Sequence, residues 1–156
     1  MAQAFSENHM SVDEWHEAVL AGEKLFVHVV PAGVSMLPLI RGGRDDVIIT
    51  PVDREIKRGD IVLFRRDDGA NVMHRVFRFP GGRIETFGDG CASPDAPVLR
   101  EQIWGIAAKL IRDGKTYNLD SAAARAQGYI WWIIYPFRRP RAFAGKVLRR
   151  VKRLFR

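Results

Sequence analysis

The sequence predicts a mainly β fold, a barrel-like antiparallel domain with a short N-terminal helix before it and a basic C-terminal helix after it. Three observations predict it. Short runs rich in Val, Ile and Phe recur between residues 25 and 111. Turn signals separate those runs, and helical spacing returns only outside them. Ser11-Val-Asp-Glu14 reads as a capping box, so a helix should run through Val19 and Leu20 and stop at Gly22. Leu25–Val30 is extended and halts at Pro31. Further strands are expected at Val47–Thr50, Ile61–Phe64, Val72–Phe77, Ile84–Phe87 and Ile103–Ile111. Arg41-Gly-Gly43, Arg58-Gly-Asp60, Asp67-Asp-Gly69, Pro80-Gly-Gly82 and Asp113-Gly114 supply the turns between them. Past Tyr117, Asp120 or Ser121 can cap a short helix through Ala122–Ala126, with Gly128 as its stop. The expected division is a helical segment at 1–23, a β domain at 24–115 and a helical, aromatic and basic tail at 116–156.

Composition bounds the function. At 156 residues and 47% hydrophobic content the chain can bury a core without a metal or a disulfide. Its one cysteine, Cys91, has no internal partner, and the four histidines lack zinc-finger spacing. No cofactor is expected. The net charge of +7 is concentrated at one end: Phe137–Arg156 holds nine Lys or Arg and no acid, leaving 16 basic and 18 acidic residues in the rest. The body is slightly acidic, so nucleic acid is not the expected partner.

The tail has two faces. Val147, Leu148, Val151, Leu154 and Phe155 share one side of a helix, whereas Arg149, Arg150 and their basic neighbours cover the other. Trp131 and Trp132 stand just upstream. A one-sign polar face repels itself, and anionic lipid would neutralise it while receiving the apolar stripe. Nucleic acid offers that stripe no home. The longest uncharged apolar run, Tyr129–Tyr135, reaches only ~10 Å as a helix, far short of a bilayer core. The first twenty residues carry four acids and no signal-peptide pattern. The expectation is a cytoplasmic protein held peripherally on the inner face of the membrane.

Three segments hold side chains suited to chemistry. In Gly33-Val-Ser-Met-Leu-Pro38, a glycine two residues before Ser35 permits a tight turn that exposes the hydroxyl at a strand end. Such a hydroxyl attacks only if a base takes its proton and N–H groups hold the oxyanion; otherwise it is a turn residue. In Asn71–Arg78, alternation sets Val72, His74 and Val76 on one face and Met73, Arg75 and Phe77 on the other. His74 is either a half-buried core histidine or a general base. Gly88-Asp-Gly-Cys-Ala-Ser-Pro-Asp95 brings two carboxylates that either shape a turn or orient an imidazole. Beside Asp89, Cys91 has nothing basic next to it and is read as incidental.

In this order, Gly33-x-Ser35-Met36-x-Pro38, Arg58-Gly-Asp60-Ile-Val62, His74-Arg-Val76, Gly88-Asp89, Asp95-x-Pro97-Val98 and Gly105 resemble the conserved boxes of type I signal peptidases. That superfamily also holds the LexA-like self-cleaving serine peptidases. The resemblance covers about half the chain, Phe26 to Lys109, and its weight lies in the order of the boxes. A histidine at 74, where most bacterial members place lysine, is similar to the endoplasmic-reticulum, archaeal and spore-former branch. The resemblance implies a serine endopeptidase with Ser35 as nucleophile, His74 as general base and Asp95 as orienting acid, Asp89 being the alternative. Gly33 and Met36 then support the turn and the oxyanion site. It also implies an extended peptide or protein substrate, such as a leader peptide, with small residues before the cut. Three features depart from the family: Gly33 lacks the hydroxyl that helps the oxyanion site in many members, the amino-terminal anchor is missing, and Gly88-Asp-Gly90 replaces Gly-Asp-Asn. A LexA-like self-cleaving regulator and an inactive binding module of the same fold are the competing readings.

Overall fold

The computed structural model describes residues 10–128, 130 and 133 of the chain. Helix α1 (Val12–Leu20) begins with the expected capping box: the Glu14 amide donates to Ser11 Oγ, and the Ser11 amide donates to the Glu14 carboxylate at 2.8 Å. It ends before Gly22, whose φ of +94° suits glycine.

Seven antiparallel strands follow: β1 (Val27–Val29), β2 (Asp46–Pro51), β3 (Ile61–Arg65), β4 (Asn71–Arg78), β5 (Glu85–Phe87), β6 (Ile103–Arg112) and β7 (Lys115–Asn118). The sheet order is β1-β2-β6-β3-β4-β5. Strand β6 is its spine. One edge pairs with β2, and the other pairs first with β3 near Ile103–Ile106 and then with β7 from Lys109 to Arg112.

Six strands lie where the sequence places them, but β7 was not expected. Asp113 and Gly114 both have positive φ, so they form the tight two-residue turn of a hairpin and send Lys115–Asn118 back along β6. The expected boundary at 115/116 therefore falls inside a strand, and Leu119 beyond it is a core residue. The sheet also does not close into a barrel. Its end strands β1 and β5 are three residues each, and no ladder joins them. Instead they run into two long loops that meet where the Gly90 amide donates to the Ser35 carbonyl at 2.7 Å.

Both faces of the central strands are covered. Ile61, Leu63 and Met73 pack with Trp15, Met36 and Ile49 on one face; Val62, Phe64 and Val76 pack with Ile84, Val98 and Ile106 on the other. Gly105 leaves room for the Trp15 ring, since a Cβ there would stand 2.7 Å from it. The alternation expected for β4 is present, yet Met73, His74, Arg75 and Val76 are all buried because each face has its own cluster. Ser121 accepts from the Ala124 amide and caps a helix that covers 122–128. Gly128 is itself helical, as are positions 130 and 133. Among the described residues no helix is long and apolar enough to cross a membrane.

Candidate active site

Ser35 sits in the loop after β1. Gly33 takes φ +81°, and a Cβ on Gly42 would fall 2.0 Å from the Gly33 carbonyl oxygen, so two glycines let the loop fold back on itself. The Gly43 amide closes that loop on the Pro31 carbonyl at 2.8 Å. Met36 and Ile40 bury their side chains in the first cluster and anchor the turn, leaving Ser35 half-buried at its rim. Among the described residues no protein acceptor pairs with the Ser35 amide.

His74 is held by β4, opposite Val62 on β3, with the Phe64 ring tilted against it. Its Nδ1 lies 2.6 Å from Asp95 Oδ2. The same oxygen accepts the Thr86 hydroxyl at 2.7 Å, and the other accepts Arg66 Nη2 at 2.6 Å. Burial opposes ionisation of Asp95, but the hydrogen bond and charge of His74, with Thr86 and Arg66, outweigh it and hold the carboxyl below its ordinary value. An ionised carboxylate only accepts, so the proton of a neutral imidazole sits on Nδ1. Nε2 then carries the lone pair.

That lone-pair atom and the Ser35 carbonyl oxygen border the same spot beside Gly88. A Cβ added to Gly88 would stand 2.9 Å from His74 Nε2, 2.7 Å from the Ser35 carbonyl oxygen and 2.7 Å from Cys91 Sγ. The three groups thus converge on one spot, kept open by a glycine. Ser35 and His74 also line one groove of about 510 Å³, walled by Val29, Met36, Leu63 and Met73. No hydrogen bond joins Ser35 Oγ to His74 in this structure.

The two candidate acids have different places. Asp95 is the partner of His74, whereas Asp89 receives Arg75 through two bonds, Nε at 2.9 Å and Nη2 at 2.8 Å, in a buried pair. Arg75 Nη1 also donates to the Gly59 carbonyl, and Gly128 packs on the guanidinium. Asp89 as the orienting acid is therefore corrected: a buried arginine occupies it. Burial, and then the Asp95 charge, push the Cys91 thiol up, which makes it a poor nucleophile.

Thr86 and Arg66 are site residues that sequence reasoning missed. Thr86 carries a weak signal, as a hydroxyl residue on the strand leading into the Asp95 loop. Arg66 carries none, being one of two arginines before an ordinary turn. Trp131, Trp132, Val147, Leu148, Arg149, Arg150, Val151, Leu154 and Phe155 lie outside the described residues. Compared with protein-family models and with curated proteins, the sequence has no match.

Proposed function

We propose that this chain is a serine endopeptidase of the signal-peptidase and LexA-like type, acting on an extended peptide or protein segment. The observation that carries the reading is the Asp95–His74 pair, whose Nε2 borders the same spot as the Ser35 carbonyl oxygen. In the proposed reaction Ser35 Oγ attacks the scissile carbonyl carbon while His74 Nε2 takes the hydroxyl proton. Asp95 steadies the imidazolium. The Ser35 amide donates to the oxyanion, a role that Gly33 cannot share through a side chain. The imidazolium then protonates the leaving amine, and water deprotonated by His74 releases the acyl group. The apolar wall of the groove fits small uncharged residues before the cut.

The basic tail supports a second element of the proposal, peripheral attachment to an anionic membrane surface that presents the substrate. The test of the chemistry is covalent labelling by a fluorophosphonate, read by intact mass. Wild type should take one label, and Ser35→Ala none. His74→Ala should label at least about a hundredfold more slowly, and Ser35→Ala/His74→Ala should be no worse than Ser35→Ala alone. Unlabelled wild type would favour an inactive binding module. A fragment beginning at Gly22 would favour self-cleavage, since Ala21-Gly22 is an Ala-Gly bond of the kind the LexA-like group cuts.

A further inference from the structure

Of the two site groups that neither the sequence boxes nor the proposed reaction assigns, Thr86 and Arg66, Arg66 is the charged one. It follows β3, where its amide donates to the Ala70 carbonyl across a tight turn. Its side chain is 42% exposed, while Asp95 and His74 are 10% and 7% exposed. The guanidinium therefore approaches from solvent and closes over a buried pair. It borders both the groove that holds Ser35 and a second cleft of about 710 Å³ on the far side of His74.

We propose that Arg66 is a positioning residue for this site: it fixes the Asp95 carboxylate and moderates that carboxylate's hold on the His74 proton. The proposal rests on the serine-peptidase reading for its consequence in catalysis but not for its geometry. Asp95 has two oxygens and three donors. Among the described residues, Thr86 and His74 share Oδ2, and Arg66 alone takes Oδ1. Without Arg66 the carboxylate is held through Oδ2 alone, so its plane, and the imidazole it orients, are less firmly fixed. The charge effect has a definite sign. Arg66 offsets part of the Asp95 charge, so its loss leaves a stronger negative field on His74.

The other charged groups around His74 do not replace it. Cys91 and Asp95 face it from the loop after β5, and Asp67 and Asp68 line the second cleft from the turn after β3. Asp67 accepts from Gln102, and Asp68 accepts from the Ala70 amide. Arg75 pairs with Asp89. Arg66 is the cation bonded to Asp95.

The experiment follows the His74 ring by NMR in the full chain labelled with carbon-13 histidine, the signal being assigned with His74→Gln. Fluorophosphonate labelling of Ser35 is measured on the same samples. In Arg66→Ala the His74 ring signals, read at one pH, should move from their wild-type positions and labelling should fall about tenfold. Arg66→Lys should restore the ring signals more than the rate, because it keeps the charge and loses the planar fork. The exposed Arg44→Ala should change neither. Should Arg66→Ala fail to fold, Arg66→Gln carries the same expectation. Superimposable His74 ring signals in wild type and variant overturn the proposal. Moved ring signals with no Ser35 labelling, even in wild type, uphold the Arg66 arrangement and remove the peptidase reading instead.

Discussion

Gly88→Ala tests the site at its tightest point. The new methyl would stand 2.7 Å from the Ser35 carbonyl oxygen, 2.7 Å from Cys91 Sγ and 2.9 Å from His74 Nε2. Relaxed contacts of a methyl carbon lie near 3.5 Å, so the loop and the Ser35 turn must part by about 0.5–1 Å. The Ser35 oxygen cannot yield cheaply, since it is backbone and accepts from the Gly90 amide at 2.7 Å. Overpacking of this kind costs about 1–3 kcal/mol, which in a domain of this size lowers Tm by about 2–12 °C. Function should suffer more. A displacement of about 1 Å between nucleophile and base costs about a hundredfold in rate. The assay is the rate of fluorophosphonate labelling at saturating probe, with a thermal melt on the same sample. Adding Cys91→Ala removes one of the three contacts and should recover little of either loss. Gly88→Ala that labels within about twofold of wild type would refute the convergence of Ser35 and His74 on this spot.

The two aspartates should separate by phenotype. Asp95→Asn should slow labelling about a hundredfold or more while leaving Tm nearly unchanged, because an amide no longer holds Nδ1 as the protonated nitrogen. Asp89→Asn should instead lose about 3–5 kcal/mol of stability, since it leaves the buried Arg75 guanidinium without its counter-charge; the readout is chemical denaturation. Acid sensitivity should trace in part to Asp45, whose carboxyl the Arg112 guanidinium holds well below its ordinary value against burial, helped by the amide and side chain of Arg41. A depressed folded value means stability that is complete above the unfolded carboxylate value of about 3.9 and drains as pH falls below it, so Asp45→Asn should lower Tm at neutral pH and flatten its fall below about pH 4. The tail should float the full chain with anionic liposomes at low salt, lose binding at high salt, and lose it altogether on truncation after Pro136; full-length protein that stays at the bottom at low salt refutes attachment.

Local signals carried most of the fold. Ser11 and Glu14 cap α1 as a pattern of neighbours dictates, and the runs from Val47 to Ile111 become strands because branched and aromatic residues between turns have few other options. Those signals act over a few residues, so they can be read in order along the chain. Strand β7 escaped because Lys115-Thr-Tyr-Asn118 is exposed throughout and has no hydrophobic alternation to show; its place comes from the Asp113-Gly114 turn and the spare edge of β6. The open edges of the sheet were not legible either, since closure depends on how strands register across long loops.

The sequence by itself determined which side chains were available for chemistry and their order: a serine after one strand, a histidine within another, two aspartates in a glycine-rich loop. It could not say which aspartate meets His74. That choice lies with β4, whose pleat turns His74 to one face, where Asp95 waits, and Arg75 to the other, where Asp89 neutralises it. Arg66 and Thr86 joined the site for the same reason: they lie close in space to Asp95 while remote or unremarkable along the chain. A hydrogen bond needs partners within about 3 Å, and pairs tens of residues apart reach that distance only after the sheet has formed.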